Sequence, residues 1–331
     1  MTSPYWRQRL ASPSPQSLLF CLPIMPKNFC NRRRLSRVFL FLFTCLLTVV
    51  FSLNWVNAEE EPKPKPELWQ IQGIMAALND DYPKVKTLAL DKLGKYKLKN
   101  LKSLEKELGD IAKIAANLLK NKSVEAEVRY SAASALGNLG TAATPYVKDI
   151  ADILKDKSVD AYTRSSAAEV LGKLGTAATP YVKDIADILK DKSVEAEVRS
   201  RAASALGNLG TAATPYVKDI ADILKDKSVE AEVRSSAASA LGKLGTAATP
   251  YVKDIADILK DKSVEAEVRF SAASALGNFG TAATPYVKDI LNFLKDKSVK
   301  AEVRSSAASA LGNLGTAATP YVKDIADILK D

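Results

Sequence analysis

Five side chains recur along this chain at a fixed offset, first as Tyr146, Lys148, Asp149, Asp152 and Lys155. The tyrosine returns as Tyr181, Tyr216, Tyr251, Tyr286 and Tyr321, with the same charged neighbours in most copies. On a helix, Lys148, Asp152 and Lys155 stand three and four residues apart and so share one polar face. Such a face can form ion pairs, hydrogen-bond a peptide and offer an aromatic ring. It holds no nucleophile beside a base, and the chain has no histidine at all, which removes the commonest general base and transition-metal ligand. The three cysteines, Cys21, Cys30 and Cys45, all precede the recurring part, so it contains no disulfide and no thiolate.

Two readings of the face follow. In one, the lysines and aspartates are a solvated face and the tyrosine rings pack between units; in the other, they form a binding strip for a partner. A second series, Arg129, Arg164, Arg199, Arg234, Arg269 and Arg304, stands among acidic residues and reads as a ladder of ion pairs, with anion binding as the alternative. The fifth copy departs from the rest with Phe270, Phe279, Leu291, Asn292 and Phe293, which is either an anchor for a partner or local repacking. The candidate partner-binding residues are therefore Tyr146, Lys148, Asp149, Asp152, Lys155, Tyr181, Tyr216, Tyr251, Phe270 and Phe293. No catalytic, metal-ligating or cofactor-binding residue is expected.

The elements that position these groups are written in the repetition itself. The stretch "TAATPYVKDIADILKDK" begins at Thr141 and returns unchanged at Thr176, Thr211 and Thr246. The unit runs from Ser123 to Lys157, and six copies begin at Ser123, Ser158, Ser193, Ser228, Ser263 and Ser298, a period of 35. Val128, Ala132, Ala135, Leu136 and Leu139 fall at helical spacing and predict a first helix, with Ser123 as its cap, Glu125 and Glu127 in its first turn and Gly140 as a left-handed stop. A second helix is predicted with Thr144 as cap and Pro145 at its first position, burying Val147, Ile150, Ala151, Ile153 and Leu154. Helices of about three turns are marginal alone. Each unit must bury its apolar face on the next one.

"VRYSAASALGNLG" at Val128 to Gly140, with its Val-Arg, paired Ala and Ala-Leu-Gly, resembles the HEAT-like repeats named after phycobilisome lyases. The resemblance covers about Asp80 to Asp331. It implies an all-α fold, a right-handed α-α superhelix of the HEAT/armadillo-like solenoid kind built from 35-residue two-helix repeats, with second helices lining the concave side. "PKVKTLALDKLGKY" at Pro83 to Tyr96 matches more loosely, with Lys86 in place of the arginine, and is read as a degenerate first repeat. "ELWQIQGIMAALND" before it is read as a half-repeat cap containing Trp69, so that residues 68–122 form a cap and first repeat ahead of the six copies at 123–331. Relatives by fold include bilin lyases and a hydroxylase with a di-iron centre held by His-Glu motifs. No histidine is present here to fill those motifs.

The net charge is +9, but seven of the 47 basic residues, and no acidic one, fall in residues 1–58. The remainder is close to neutral, with Lys and Arg interleaved among Asp and Glu, so no basic face for nucleic acid is expected. Residues 32–58 have the three parts of a secretory signal: basic Arg32 to Arg37, apolar Val38 to Leu53, and the small-residue exit "VNA". Cleavage after Ala58 and export to the periplasm, envelope or exterior are expected, with an uncleaved membrane anchor as the alternative and Met25 as an alternative start. "EEEPKPKPE" at residues 59–67 reads as an extended spacer. The expected function is that of a non-enzymatic exported scaffold binding protein or peptide through a periodic surface. The alternatives are a bilin-lyase-like or enzyme-associated role and a self-assembling envelope component. The final copy has no polar cap, which raises the expectation of self-association through that end.

Overall fold

Helical period and small side chains set the architecture. In the computed structural model the chain divides into two units, Met1–Pro62 and Lys63–Asp331, and the structure describes residues 63–98 and 101–328 of the second. The signal, its anchor alternative and the three cysteines lie outside the described residues. Among the described residues there are helices and no strand, and no helix is long and apolar enough to cross a membrane.

Helices Leu68–Leu78, Pro83–Leu93 and Glu105–Lys120 precede the six copies. The first helices of the copies are Ala126–Leu139, Ala161–Leu174, Ala196–Leu209, Ala231–Leu244, Ala266–Asn278 and Ala301–Asn313. The second helices are Val147–Lys155, Val182–Lys190, Val217–Lys225, Val252–Lys260, Val287–Lys295 and Val322–Ile328. The buried residues of the first copy include Val128, Ala132, Ala135, Leu136 and Leu139 on one helix and Val147, Ile150, Ala151, Ile153 and Leu154 on the other, the two stripes read from periodicity. The copies share a single hydrophobic core that extends from Ile71 to Ala318.

The first helices form the close-packed row of this stack, and glycine makes the approach possible. A Cβ placed on Gly172 would stand 2.9 Å from the Cα of Ala205, and one on Gly207 would stand 2.8 Å from the Cα of Ala240. With Ala opposite Gly, successive helices touch backbone to backbone. The second helices carry Val, Ile and Leu on their buried sides and touch one another far less.

The helix ends differ from those expected. The first helix of copy one starts at Ala126 with Glu125 before it and no side-chain cap, and the Ser123 amide donates to Asn121 Oδ1 at 2.9 Å instead. In copy two the Ser158 amide and hydroxyl both donate to Asp156 Oδ1, at 2.9 and 2.6 Å. A polar acceptor two residues earlier captures the serine in a local turn, and that competes with capping. Thr144 and Pro145 do not open the second α-helix, because Gly140–Tyr146 forms a 3-10 helix and the α-helix begins at Val147. Gly140 stops the first helix with φ 56° and ψ −118°, a conformation outside the left-handed helical region and effectively reserved to glycine.

Candidate functional site

The recurring polar face is a lattice of ion pairs. Lys148 Nζ meets Asp152 Oδ2 at 2.8 Å within one helix, and Lys155 Nζ reaches both Asp152 Oδ1 at 3.5 Å and Asp184 Oδ2 of the next copy at 3.0 Å. Asp149 pairs backwards with Lys120 at 3.1 Å. The inter-copy bridge recurs at Lys190–Asp219, 3.1 Å, Lys225–Asp254, 3.2 Å, Lys260–Asp289, 3.7 Å, and Lys295–Asp324, 3.2 Å. The hydrogen bond between them raises the Lys148 ammonium and lowers the Asp152 carboxyl from their ordinary values, and the bond to Asp184 raises Lys155. These shifts fix the charged forms at neutral pH, the reverse of what proton transfer requires. The face is built to stay ionised.

Tyr146, Tyr181, Tyr216 and Tyr251 are half-buried and pack against the core. Tyr181 lies within electrostatic reach of Lys148, and Lys225 Nζ stands 5.9 Å from the centre of the Tyr251 ring. The structure therefore brings the tyrosine of one copy to the lysines of the copy before it, so the candidate residues form clusters across junctions rather than within units.

The arginine series is a structural ladder between adjacent copies. Arg199, 1% exposed, donates Nε to the Leu189 carbonyl at 3.0 Å and Nη1 to Glu230 Oε2 at 2.9 Å. Arg164 repeats this with Leu154 and Glu195, and Arg234 with Leu224 and Glu265. Arg129 pairs with Asp160 at 2.6 Å. A guanidinium buried on one copy's first helix thus ties the end of the preceding copy's second helix to the start of the following copy's first helix.

A further ladder had no clear signal in the sequence. Lys122 Nζ donates to Asp156 Oδ2 at 2.9 Å, while Oδ1 of the same aspartate accepts from Ser158. Lys157–Asp191, Lys192–Asp226, Lys227–Asp261 and Lys262–Asp296 repeat the bridge. The "DKS" triplets carry it, but only stacking shows which lysine meets which aspartate.

Phe293 is not a surface anchor. It is 3% exposed and lies under the Arg269 guanidinium, 4.6 Å from ring centre to Cζ, because its position belongs to the buried stripe of the second helix. Phe270 is 37% exposed and remains available to a partner. Two surface features escaped the sequence reading. Tyr130 and Tyr162 stack with ring centres 4.4 Å apart. Near the amino-terminal helices, a groove of about 800 Å³ is lined by Trp69, Ile74, Val85, Leu88 and Tyr96, with Trp69 and Leu88 largely exposed. Among the described residues, no three His, Cys, Asp or Glu side chains gather as a metal site.

Paired helices, a repeated glycine–alanine contact and arginine ties between copies define an α-helical solenoid. Models of HEAT repeats match residues 147–242 and 182–266, and the model of the PBS lyase HEAT-like repeat matches 128–156, 268–296 and 303–331. The chain is a HEAT-like repeat protein. Its fold is similar to that in the complex of CpcE and CpcF of phycocyanin lyase from Nostoc sp. PCC7120, at 22% identity and a TM-score of 0.50, covering 83% of this chain and 98% of that one. It is also similar to importin beta, at 16% identity and a TM-score of 0.57, and to the karyopherin Kap121p bound to the SUMO protease Ulp1p, at 16% and 0.52. Both likenesses cover 78% of this chain but only 37% and 31% of the karyopherin chains, so the shared part is a segment of those longer solenoids. At these identities the likenesses show the fold. No curated protein matches the sequence.

Proposed function

We propose that this chain is a non-enzymatic scaffold that binds protein or peptide along its solenoid by repeated weak contacts, exported by its basic and then apolar amino-terminal segment. The observation that carries the reading is the repetition of one charged, tyrosine-edged junction in register from copy to copy. Equal sites at equal spacing raise the effective concentration of a multivalent partner, so contacts that are weak singly become useful together. Kap121p, a neighbour by fold, is held in complexes with other proteins, which supports a partner of the same class here. The groups of the face are fixed in their charged forms, which suits recognition better than proton transfer.

The test is a pull-down from an envelope fraction with the full chain and with a variant lacking Ser193 to Lys262, two whole copies. A partner retained in proportion to copy number supports the scaffold. A partner retained equally by both places the binding outside the periodic surface, and recovery of the bait alone favours self-assembly.

A second reading, association with a lyase, draws on the likeness to the phycocyanin lyase complex and on the matching repeat model. Bilin absorbance carried by the chain after incubation with phycocyanobilin would favour it.

A further inference from the structure

Of the five arginines in the series that have another copy after them, four face an acid 31 residues on: Asp160, Glu195, Glu230 and Glu265. Arg269 faces Lys300. The replacement occurs where the other departures cluster, with Leu291, Asn292 and Phe293 all within ten residues of Lys300. Asn292 occupies the position of Asp257, which elsewhere pairs with both lysines of its helix, Lys253 at 2.7 Å and Lys260 at 2.9 Å. One negative charge is lost at Asn292, and one negative charge becomes positive at Lys300. At these two positions the junction is therefore three charges more positive than its neighbours.

The structure shows what the buried arginine does without its glutamate. Arg269 keeps the Leu259 carbonyl at 3.0 Å, but among the described carboxylates it reaches Asp296 only at 3.9 Å, beyond hydrogen-bond length. Asp296 is already engaged by the Ser298 hydroxyl and amide and by Lys262. Phe293 supplies a ring face to the guanidinium, a weaker substitute for a charge-assisted hydrogen bond. Arg269 is 6% exposed, and burial pushes its pKa below the ordinary arginine value, with Asp296 and Asp261 opposing the shift. A cavity of about 480 Å³ opens at this place, with Lys260, Arg269, Phe293 and Lys295 in its lining. Lys300 precedes the first turn of helix Ala301–Asn313, where the helix dipole favours an anion.

We propose that this junction binds a carboxylate side chain from an acidic segment of a partner protein, which enters the position that Glu265 fills one copy earlier. Arg234 shows the geometry, with Nη1 at 2.8 Å from Glu265 Oε2. Asp289 and Asp296 in the cavity wall suit a monoanion better than a doubly charged phosphate. The inference rests on the scaffold reading and gives it one specific contact.

The test uses the full chain and a fluorescein-labelled Glu/Ala peptide, with its Gln/Ala counterpart as control, followed by fluorescence anisotropy at low salt. The chain is expected to bind the Glu peptide and not the Gln peptide. Lys300→Glu, which restores the residue found in other copies, is expected to weaken binding by about tenfold, equivalent to about 1.4 kcal/mol. Lys113→Glu, the same charge change on an exposed residue of another helix, is expected to leave affinity within about twofold. Equal affinity for both peptides, equal loss in both variants, or displacement by inorganic phosphate but not by acetate would each overturn the proposal. If the pull-down tracks copy number while the Glu peptide fails to bind, this site falls and the scaffold stands. Binding of the Glu peptide that is lost in Lys300→Glu supports the site even if the pull-down returns only the bait.

Discussion

The guanidinium of Arg199 meets the carboxylate of Glu230 at 2.9 Å across a copy boundary, with the arginine 1% exposed and the glutamate side chain 54% exposed. The asymmetry matters. The glutamate can return to water if its partner is removed, whereas the arginine cannot. Arg199→Met leaves the Leu189 carbonyl without this donor and should cost about 1–3 kcal/mol in urea unfolding. Glu230→Ala strands the buried charge, and the double variant should cost less than the sum of the two. Simple additivity would show that the pair does not tie the copies together.

Backbone contact at the glycines predicts opposite outcomes for the same substitution. Gly207→Ala puts a methyl 2.8 Å from Ala240 Cα and must push two first helices apart, at a cost of about 1–3 kcal/mol. Gly109→Ala, inside helix Glu105–Lys120 with nothing within 4 Å of the new Cβ, should stabilise by about 0.5–1 kcal/mol. Thermal melts of the two variants shifting in the same direction would contradict the close-packed row.

The turn aspartates predict a loss of stability in acid. The serine hydroxyl first, with the serine amide and the inter-copy lysine, holds Asp156, Asp191 and Asp226 below the ordinary 3.8, and holds Asp296 at about 2. For Asp261 the Lys227 bond is the leading cause. These carboxylates bind protons less readily folded than unfolded, so their contribution is present above pH 3.8 and fades as the pH falls below it, for Asp296 through about 2 and for the others lower still. Urea midpoints should be level near neutrality and fall below about pH 4. A midpoint unchanged down to pH 2 would remove these turns from the stability of the fold.

Removal of whole copies should preserve the fold. Deleting Ser193 to Lys262 joins Lys192 to Ser263, and Arg164 then faces Glu265 at the spacing it had to Glu195. The new junction keeps this acid, while the Glu169–Arg201 contact at 3.7 Å is lost because Ser271 takes the place of Arg201. The shortened chain should remain helical and unfold cooperatively, with a smaller dependence on urea because less surface is exposed. Loss of helical circular dichroism would show that the copies are not interchangeable.

The aromatic departures of copy five divide according to the pattern of the helix they sit on. Phe293 falls on the buried stripe and Phe270 just outside it, and the structure buries one and exposes the other. That outcome follows from the period and assigns Phe293 to local repacking, one of the two readings open to both residues in the sequence.

What the sequence determined by itself was local: two helices per 35 residues, the apolar stripes, the glycine stop and the need of each unit for a neighbour, though not the exact helix starts. Hydrophobic period and conformational preference are carried by residues near in the chain, so they can be read without a structure. Tertiary structure decided which charges meet. Lys155 with Asp184, Arg199 with Glu230 and Lys157 with Asp191 are 29, 31 and 34 residues apart, and each pair exists only because one copy is stacked on the next. In a sequence with lysines and aspartates at every turn, several partners are consistent with the spacing. The distance between close-packed helices selects one.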